Sequence, residues 1–194
     1  MTGPENHLDR VRGEFARQAD TFDAHAQKAD LSVEDRFRRA LGDRAAGSIL
    51  DVACGPGVVT AAVAASATAV IGLDATEEML GKARDRAKDL AHVSFRAGNA
   101  ENLPFADASF DGVVTRLSLH HFESPARALA EIHRVLKPGG RAVIVDVTVD
   151  EDRTKADLQN AIEILRDPSH VHMMPAAEID GLITEAGLTI AGTE

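Results

Sequence analysis

The sequence contains no tyrosine, no tryptophan and a single cysteine among 194 residues. Without a phenol, no mechanism that uses tyrosine as acid, base or nucleophile can run. One cysteine makes neither an internal disulfide nor a zinc knuckle, which fits a reducing cytoplasm. No apolar run reaches the ~18 residues needed to span a bilayer, and the opening residues lack the apolar stretch of a secretory signal. Positive charge is also scarce: 21 Lys and Arg against 31 Asp and Glu leave a net charge of −10. Phosphate affinity comes from Lys and Arg, so a general nucleic-acid binder is disfavoured. Repeats and low-complexity stretches are missing too. The expectation is a cytoplasmic protein with a small-molecule partner, no nucleic acid and no membrane span. The length suits one domain, or one domain with a small appendage.

What is present divides in three. Residues 5–46 are polar with widely spaced apolar positions, Phe15, Phe22, Leu31, Phe37 and Leu41, and read as helices. Residues 48–149 alternate short apolar runs with amphipathic stretches. Strands are expected at 48–53, 69–73, 92–96, 110–116 and 141–149, and helices at 58–65, 77–90 and 125–136, with Lys137-Pro138-Gly139-Gly140 closing the last. Thr76 is placed to cap the second helix, and Glu78 and Lys82 to pair on its outer face. Strands alternating with helices imply a parallel sheet covered on both faces, an α/β architecture. Residues 151–194 hold two more helices and a short apolar run.

In such sheets ligands bind at the carboxyl ends of the strands, where strand order reverses. The first strand runs into Asp51-Val52-Ala53-Cys54-Gly55-Pro56-Gly57. Glycines there let main chain approach a ligand, and the next helix offers free N–H groups. Such a turn is also simply a tight strand–helix connection. Two further features favour a ligand. Asp74 ends the second strand, where a carboxylate takes a ribose diol. The third glycine of the dinucleotide fingerprint is absent from Gly55-Pro56-Gly57-Val58-Val59-Thr60. A nucleoside with an amino-acid carboxylate and no pyrophosphate fits, and S-adenosylmethionine (SAM) is such a ligand.

The segment 49–57 resembles the first motif of the class I SAM-dependent methyltransferases. Gly72-Leu73-Asp74 with Glu77-Glu78-Met79-Leu80, residues 98–105, Ser109-Phe110-Asp111-Gly112 with Leu119-His120-His121-Phe122, and residues 131–140 resemble its later motifs, in order. The subgroup is similar to the ubiquinone/menaquinone-biosynthesis C-methyltransferases and their small-molecule relatives. The resemblance implies a Rossmann-like sheet with helices on both faces, a helical lid at 1–46 and a SAM-binding unit at 47–194. It implies SAM as cofactor and S-adenosylhomocysteine as product. Gly55, Gly57 and the main chain at Ala53 would approach the methionine moiety. Asp51 would hold its ammonium or pin the glycine loop. Asp74, with Ala75 beside it, would take the ribose. Met79 would pack on the adenine or in the core, and Asn99 and Ala100 would read the adenine edge. The family often has Asp at position 99; Asn still accepts through its amide oxygen. Arg116 and Leu117 would border the methionine end.

Methyl transfer from a sulfonium needs alignment and exclusion of water, and a base only if the acceptor loses a proton. His120 and His121, after the fourth strand, are the base candidates or else turn and packing residues. His170, between the last two helices, and Phe15 and Phe22, in the lid, are substrate-side candidates. No metal is expected, since His170 and His172 lack carboxylate or cysteine partners at ligand spacing. Arg36, Arg38, Arg39 and Arg44 read as a solvated face. The final apolar run, residues 187–194, accounts for a sixth strand and no seventh, so the last strand of the family's sheet is expected to be lacking. An open edge at the fifth strand predicts a homodimer or a rearranged last strand. The missing tyrosine excludes a short-chain nicotinamide oxidoreductase, and the charge and lack of Pro-Pro-Tyr disfavour a DNA amino-methyltransferase. Two readings stand: a small-molecule methyltransferase, and a methyltransferase-like SAM-binding module without catalysis that serves as a sensor or assembly partner.

Overall fold

The computed structural model describes residues 7–26 and 32–193. Two helices, α1 (His7–Ala26) and α2 (Ser32–Leu41), and a 3₁₀ turn (Gly42–Ala46) precede β1 (Ser48–Val52). Then follow α3 (Val58–Ala64), β2 (Ala69–Asp74), α4 (Glu77–Arg86), β3 (Val93–Ala97), β4 (Phe110–Arg116), α5 (Pro125–Val135), β5 (Leu136–Val145), α6 (Arg153–Arg166) and α7 (Ala176–Glu185). The five strands form one parallel sheet in the order β3-β2-β1-β4-β5. Order therefore reverses on either side of β1, which places the ligand crevice at the carboxyl ends of β1, β2 and β4.

Strand residues alternate between two cores, because successive side chains point to opposite faces. Leu50, Val52 and Val113 join Leu129, Ile132 and Ile179 on one side. Ile49 and Val114 join Phe37, Leu41 and Val63 on the other. The described residues before β1 thus divide between two places. Phe37, Leu41 and Ala45 belong to the core, whereas α1 lies against α4.

Several local expectations need correction. The fifth strand begins at Leu136 and ends at Val145, not 141 to 149. Leu136 pairs with Phe110, and the Pro138-Gly139-Gly140 segment is a register shift inside the strand, with Gly139 at φ 72°, rather than a helix stop. The strand ends early because the Asp146 carboxylate accepts the N–H of Val147 and turns the chain. Thr76 makes no side-chain cap; the Asp74 carboxylate takes the Thr76 N–H instead, at 2.9 Å. Lys82 pairs with Asp20 of α1 at 2.6 Å, so α1 takes the cation expected to face Glu78. The sixth strand does not form among the described residues. Past the α7 end Ala186 and Leu188 pack on the core, while Ile190 is exposed. The run between Gly187 and Gly192 is too short to cover β5, whose outer edge has no partner strand among the described residues.

At the amino end of the sheet, far from the crevice, Asp111 clamps β4 to β1. Its carboxylate accepts from Lys137 Nζ (2.8 Å) and from Ser48 N and Oγ (both 2.9 Å). Those bonds, Lys137 first, lower its pKa to about 2. The Ser109-Phe110-Asp111-Gly112 motif is thus scaffold.

Candidate active site

A cavity of about 410 Å³ opens where β1, β2 and β4 end. Two strand tips leave their strands in left-handed backbone: Ala53 (φ 55°) after β1 and Leu117 (φ 54°) after β4. Non-glycine residues held so cost about 1–3 kcal/mol each and persist only where the surroundings enforce them. Both line the cavity. Gly55 (φ 52°) follows, and a Cβ there would stand in open space. Main chain at this corner is left bare toward the cavity.

Two carboxylates stiffen the corner. Asp74 accepts from Gly55 N (2.8 Å) and Thr76 N (2.9 Å), tying the glycine loop to β2. Burial raises its pKa, against the lowering effect of those N–H groups. Asp51, 1% exposed, accepts from Thr60 Oγ1 at 2.5 Å. Burial, with the charge of Asp74 adding to it, raises the Asp51 pKa to about 7. Asp51, Ala53, Gly55, Asp74, Ala75, Met79, Asn99, Ala100, Arg116 and Leu117 all line the cavity. Met79 is also 2% exposed, so wall and core coincide there. Asn99 Oδ1 accepts from Glu101 N (2.9 Å), and its amide NH₂ has no partner among the described residues. Gly57 is the exception. It starts α3 at φ 79°, and a Cβ would sit 2.9 Å from Cβ of Ala83. It supports close helix packing and is not on the cavity wall.

The opposite wall comes from α1, through His7, Leu8, Val11 and Phe15, and from the turn after β4, through Ser118, His121 and Phe122. The structure separates the two candidate histidines. His121 lines the cavity; its ring meets Phe15 edge-on at 4.9 Å, and its carbonyl is bonded to His7 Nε2 at 2.8 Å. His120 lies behind it, rings 4.2 Å apart, with Nδ1 2.5 Å from Asp146 Oδ1. Asp146 also accepts from Ser118 N and Leu119 N (3.2 and 2.6 Å). Burial, then the neighbouring His120, lowers the His121 pKa to about 4. His170 is not on the wall. It is buried, bonded through Nε2 to Asn160 Oδ1 at 2.9 Å. Phe22 lies on α1, but its side chain is outside the described residues.

Sequence reasoning missed Asp146, Ser169 and Asn160. A visible signal existed for the first: an acid inside the β-branched run Ala142-Val143-Ile144-Val145-Asp146-Val147, where a strand buried on both faces would not tolerate it. Among the described residues no group of three or more His, Cys, Asp or Glu is placed to hold a metal. No helix there is long and apolar enough to cross a membrane.

The switch-point crevice, bare glycine loop and β2-terminal carboxylate belong to a Rossmann-like α/β domain. A family model for the methyltransferase domain matches residues 50–144. The Bacillus subtilis uncharacterized methyltransferase YcgJ is 39% identical over 137 residues, 70% of this chain and 54% of its own length. Its crystal structure superposes with a TM-score of 0.75, covering 79% of this chain and 66% of that one. A methyltransferase-family structure from Bacillus halodurans, 34% identical, gives 0.74 over 81% and 68%. The demethylmenaquinone methyltransferase of Symbiobacterium thermophilum is 38% identical over 157 residues, 75% of this chain and 62% of its own. The chain belongs to the SAM-dependent methyltransferase family. It spans between about half and two thirds of the curated relatives it matches.

Proposed function

We propose that this protein transfers a methyl group from SAM to a small-molecule acceptor. The observation that carries the reading is the Asp74–Gly55 bond. It joins a bare glycine loop to a buried carboxylate at the switch point, the arrangement that suits an adenosyl amino acid. The fit is physical as well as familial. The wall at Gly55 has room that a side chain would fill. Asp74 has used two of its roughly four acceptor positions and retains capacity for a ribose diol. The methionine moiety would lie along Ala53–Gly55 with its ammonium toward Asp51, the ribose on Asp74 and Ala75, and the adenine between Met79 and Asn99–Ala100.

When bound, SAM supplies an activated methyl group on a sulfonium. The chain's own residues then align and enclose. Phe15, Leu8 and Val11 of α1 close the cavity against water, which preserves alignment and strengthens polar contacts inside. Arg116 lines the same cavity and puts a cation near the methionine end. His121 is the ring placed to accept a proton from an acidic acceptor; His120, held by Asp146, fixes the turn that presents it. The acceptor is a small molecule whose reacting atom is carbon, oxygen or nitrogen.

Calorimetry with SAM and S-adenosylhomocysteine, followed by a methyl-release assay over phenols, amines and demethylmenaquinone, tests the reading. Micromolar cofactor binding with turnover of at least one acceptor is expected. No cofactor binding would remove the reading; binding without turnover of any acceptor would favour a SAM-binding module.

A further inference from the structure

The segment between α6 and α7 touches the cavity only through His121, yet it holds that histidine in a chemically defined state. Ser169 is fully buried. Its Oγ lies 2.6 Å from Asp167 Oδ1 and 3.2 Å from His121 Nδ1. A carboxylate only accepts, so the hydroxyl donates its one hydrogen to Asp167. The contact to His121 must then run from Nδ1–H to Oγ. The Ser169 carbonyl oxygen, also 3.2 Å from Nδ1, accepts only and makes the same demand. His121 is therefore protonated at Nδ1, and its other ring nitrogen, Nε2, carries a bare lone pair.

We propose that His121 takes the acceptor's proton at Nε2 and that Ser169 and Asp167 form the exit through which that proton leaves. This rests on the methyl-transfer reading above. The acceptor's X–H bond breaks and the proton goes to Nε2; the freed electron pair forms the new bond to the methyl carbon as the methyl–sulfur bond breaks, its pair staying on sulfur to give the neutral thioether. The Nδ1 proton passes to Ser169 Oγ, whose own proton passes to Asp167 Oδ1 and then to water. Asp167 is partly exposed and Pro168 beside it is exposed, so the path ends at solvent. The groups facing His121 explain why an exit is needed. His7 of α1 sits on its carbonyl, while the His120 and His170 rings lie 4.2 and 6.3 Å away and Asp167 closes the chain. Half-buried beside two other imidazoles, the His121 ring does not keep a second proton near neutral pH. A base of that kind works only if the proton moves on.

Histidine ¹⁵N spectra of the protein saturated with S-adenosylhomocysteine test this without an acceptor. His121 should be the Nδ1–H tautomer near pH 7. Asp167→Asn keeps acceptors for Ser169 N and Oγ but cannot take up a proton. It should leave the tautomer unchanged and slow exchange of the Nδ1 proton with water severalfold. Ser169→Ala should slow it too, whereas a serine that merely braces the segment would, once removed, loosen it and speed exchange. An Nε2–H tautomer, or exchange in Asp167→Asn that is unchanged or faster, overturns the proposal. Failure of the cofactor reading is recorded separately, by calorimetry on the wild-type protein.

Discussion

The cavity has two walls built in different ways. Along the strand-tip wall the bonds are local or one strand apart. Asp74 takes the N–H two residues on, Asp51 takes a hydroxyl nine residues on, and Gly55 to Asp74 spans 19. Along the helix-and-turn wall they cross the chain: His120 to Asp146 spans 26 residues, His121 to Ser169 spans 48, and His7 to His121 spans 114. The first wall is main chain and carboxylate, fixed by the sheet. The second is imidazole, aromatic and aliphatic surface from two segments, α1 and the turn after β4, braced from behind by Asp146 and Ser169. A sheet that supports many chemistries keeps the first wall and varies the second.

The sharpest break between the walls is Asp74→Ala. Removing the carboxylate takes away charge-assisted bonds to a ribose and leaves the Gly55 and Thr76 N–H groups without their partner. Cofactor affinity should fall by about 2 kcal/mol or more, roughly 30-fold, by calorimetry. Unchanged affinity would place the nucleoside elsewhere. Gly57→Ala should act differently, because Gly57 supports the wall without forming it. The left-handed φ and the 2.9 Å approach to Ala83 should lower stability by about 1–2 kcal/mol in denaturant melts. Cofactor affinity of the folded protein should stay within error of wild type.

Legibility divides along the same line. The glycine loop, Asp74 and the Asn99–Ala100 segment were readable because each is a short motif attached to the end of one strand, and the sheet brings strand ends together automatically. Gly57 belongs to the same motif, yet its partner is Ala83 on α4, a packing contact that no local pattern announces. His120 and His121 were recognisable as candidates, but not which of them would face the cavity, since that depends on Asp146 and Ser169 reaching the turn from distant segments. Strand five was misplaced at its two ends for different reasons: at the start a register shift at 138–140 lets Leu136 pair with Phe110 inside the strand, and at the end a carboxylate at 146 engaged in tertiary bonds overrode β-branched propensity.

The two walls should also titrate in opposite senses. Asp51 has a folded pKa raised from 3.8 to about 7. The native state thus holds a proton that the unfolded chain has lost; the contribution is complete below about 3.8 and disappears as pH rises to about 7. His121 is lowered from 6.5 to about 4. Its contribution is complete above about 6.5 and is lost as pH falls toward 4. In wild type the two slopes oppose each other over that window. Asp51→Asn should leave a protein whose stability rises with pH from 4 to 6.5, and His121→Gln one whose stability falls. Slopes that match wild type in both variants would mean that neither group is buried as described. The Asp51 ionisation should reach the cofactor too: affinity should increase between pH 6 and 8, with proton release visible in buffers of different ionisation enthalpy, and Asp51→Asn should abolish the increase.

The smallest effect is the most discriminating. If the walls are independent in the resting protein, His121→Ala should change S-adenosylhomocysteine affinity by less than about 0.5 kcal/mol, and in the Asp74→Ala, His121→Ala double variant the effects should add within about the same margin. The geometry supports this. Among the described residues, none of the His121 hydrogen bonds or ring contacts involves Asp51, Gly55 or Asp74; its partners are His7, Phe15, Ser118, His120, Ser169 and His170. Coupling well above that margin would require a physical link between the walls, and Arg12 is the residue to examine next, because its Nε donates to Ala75 O at 3.1 Å from the same helix that carries His7 and Phe15. Arg12→Gln in the His121→Ala background would then show whether α1 transmits the effect: if it does, the coupling disappears with the guanidinium.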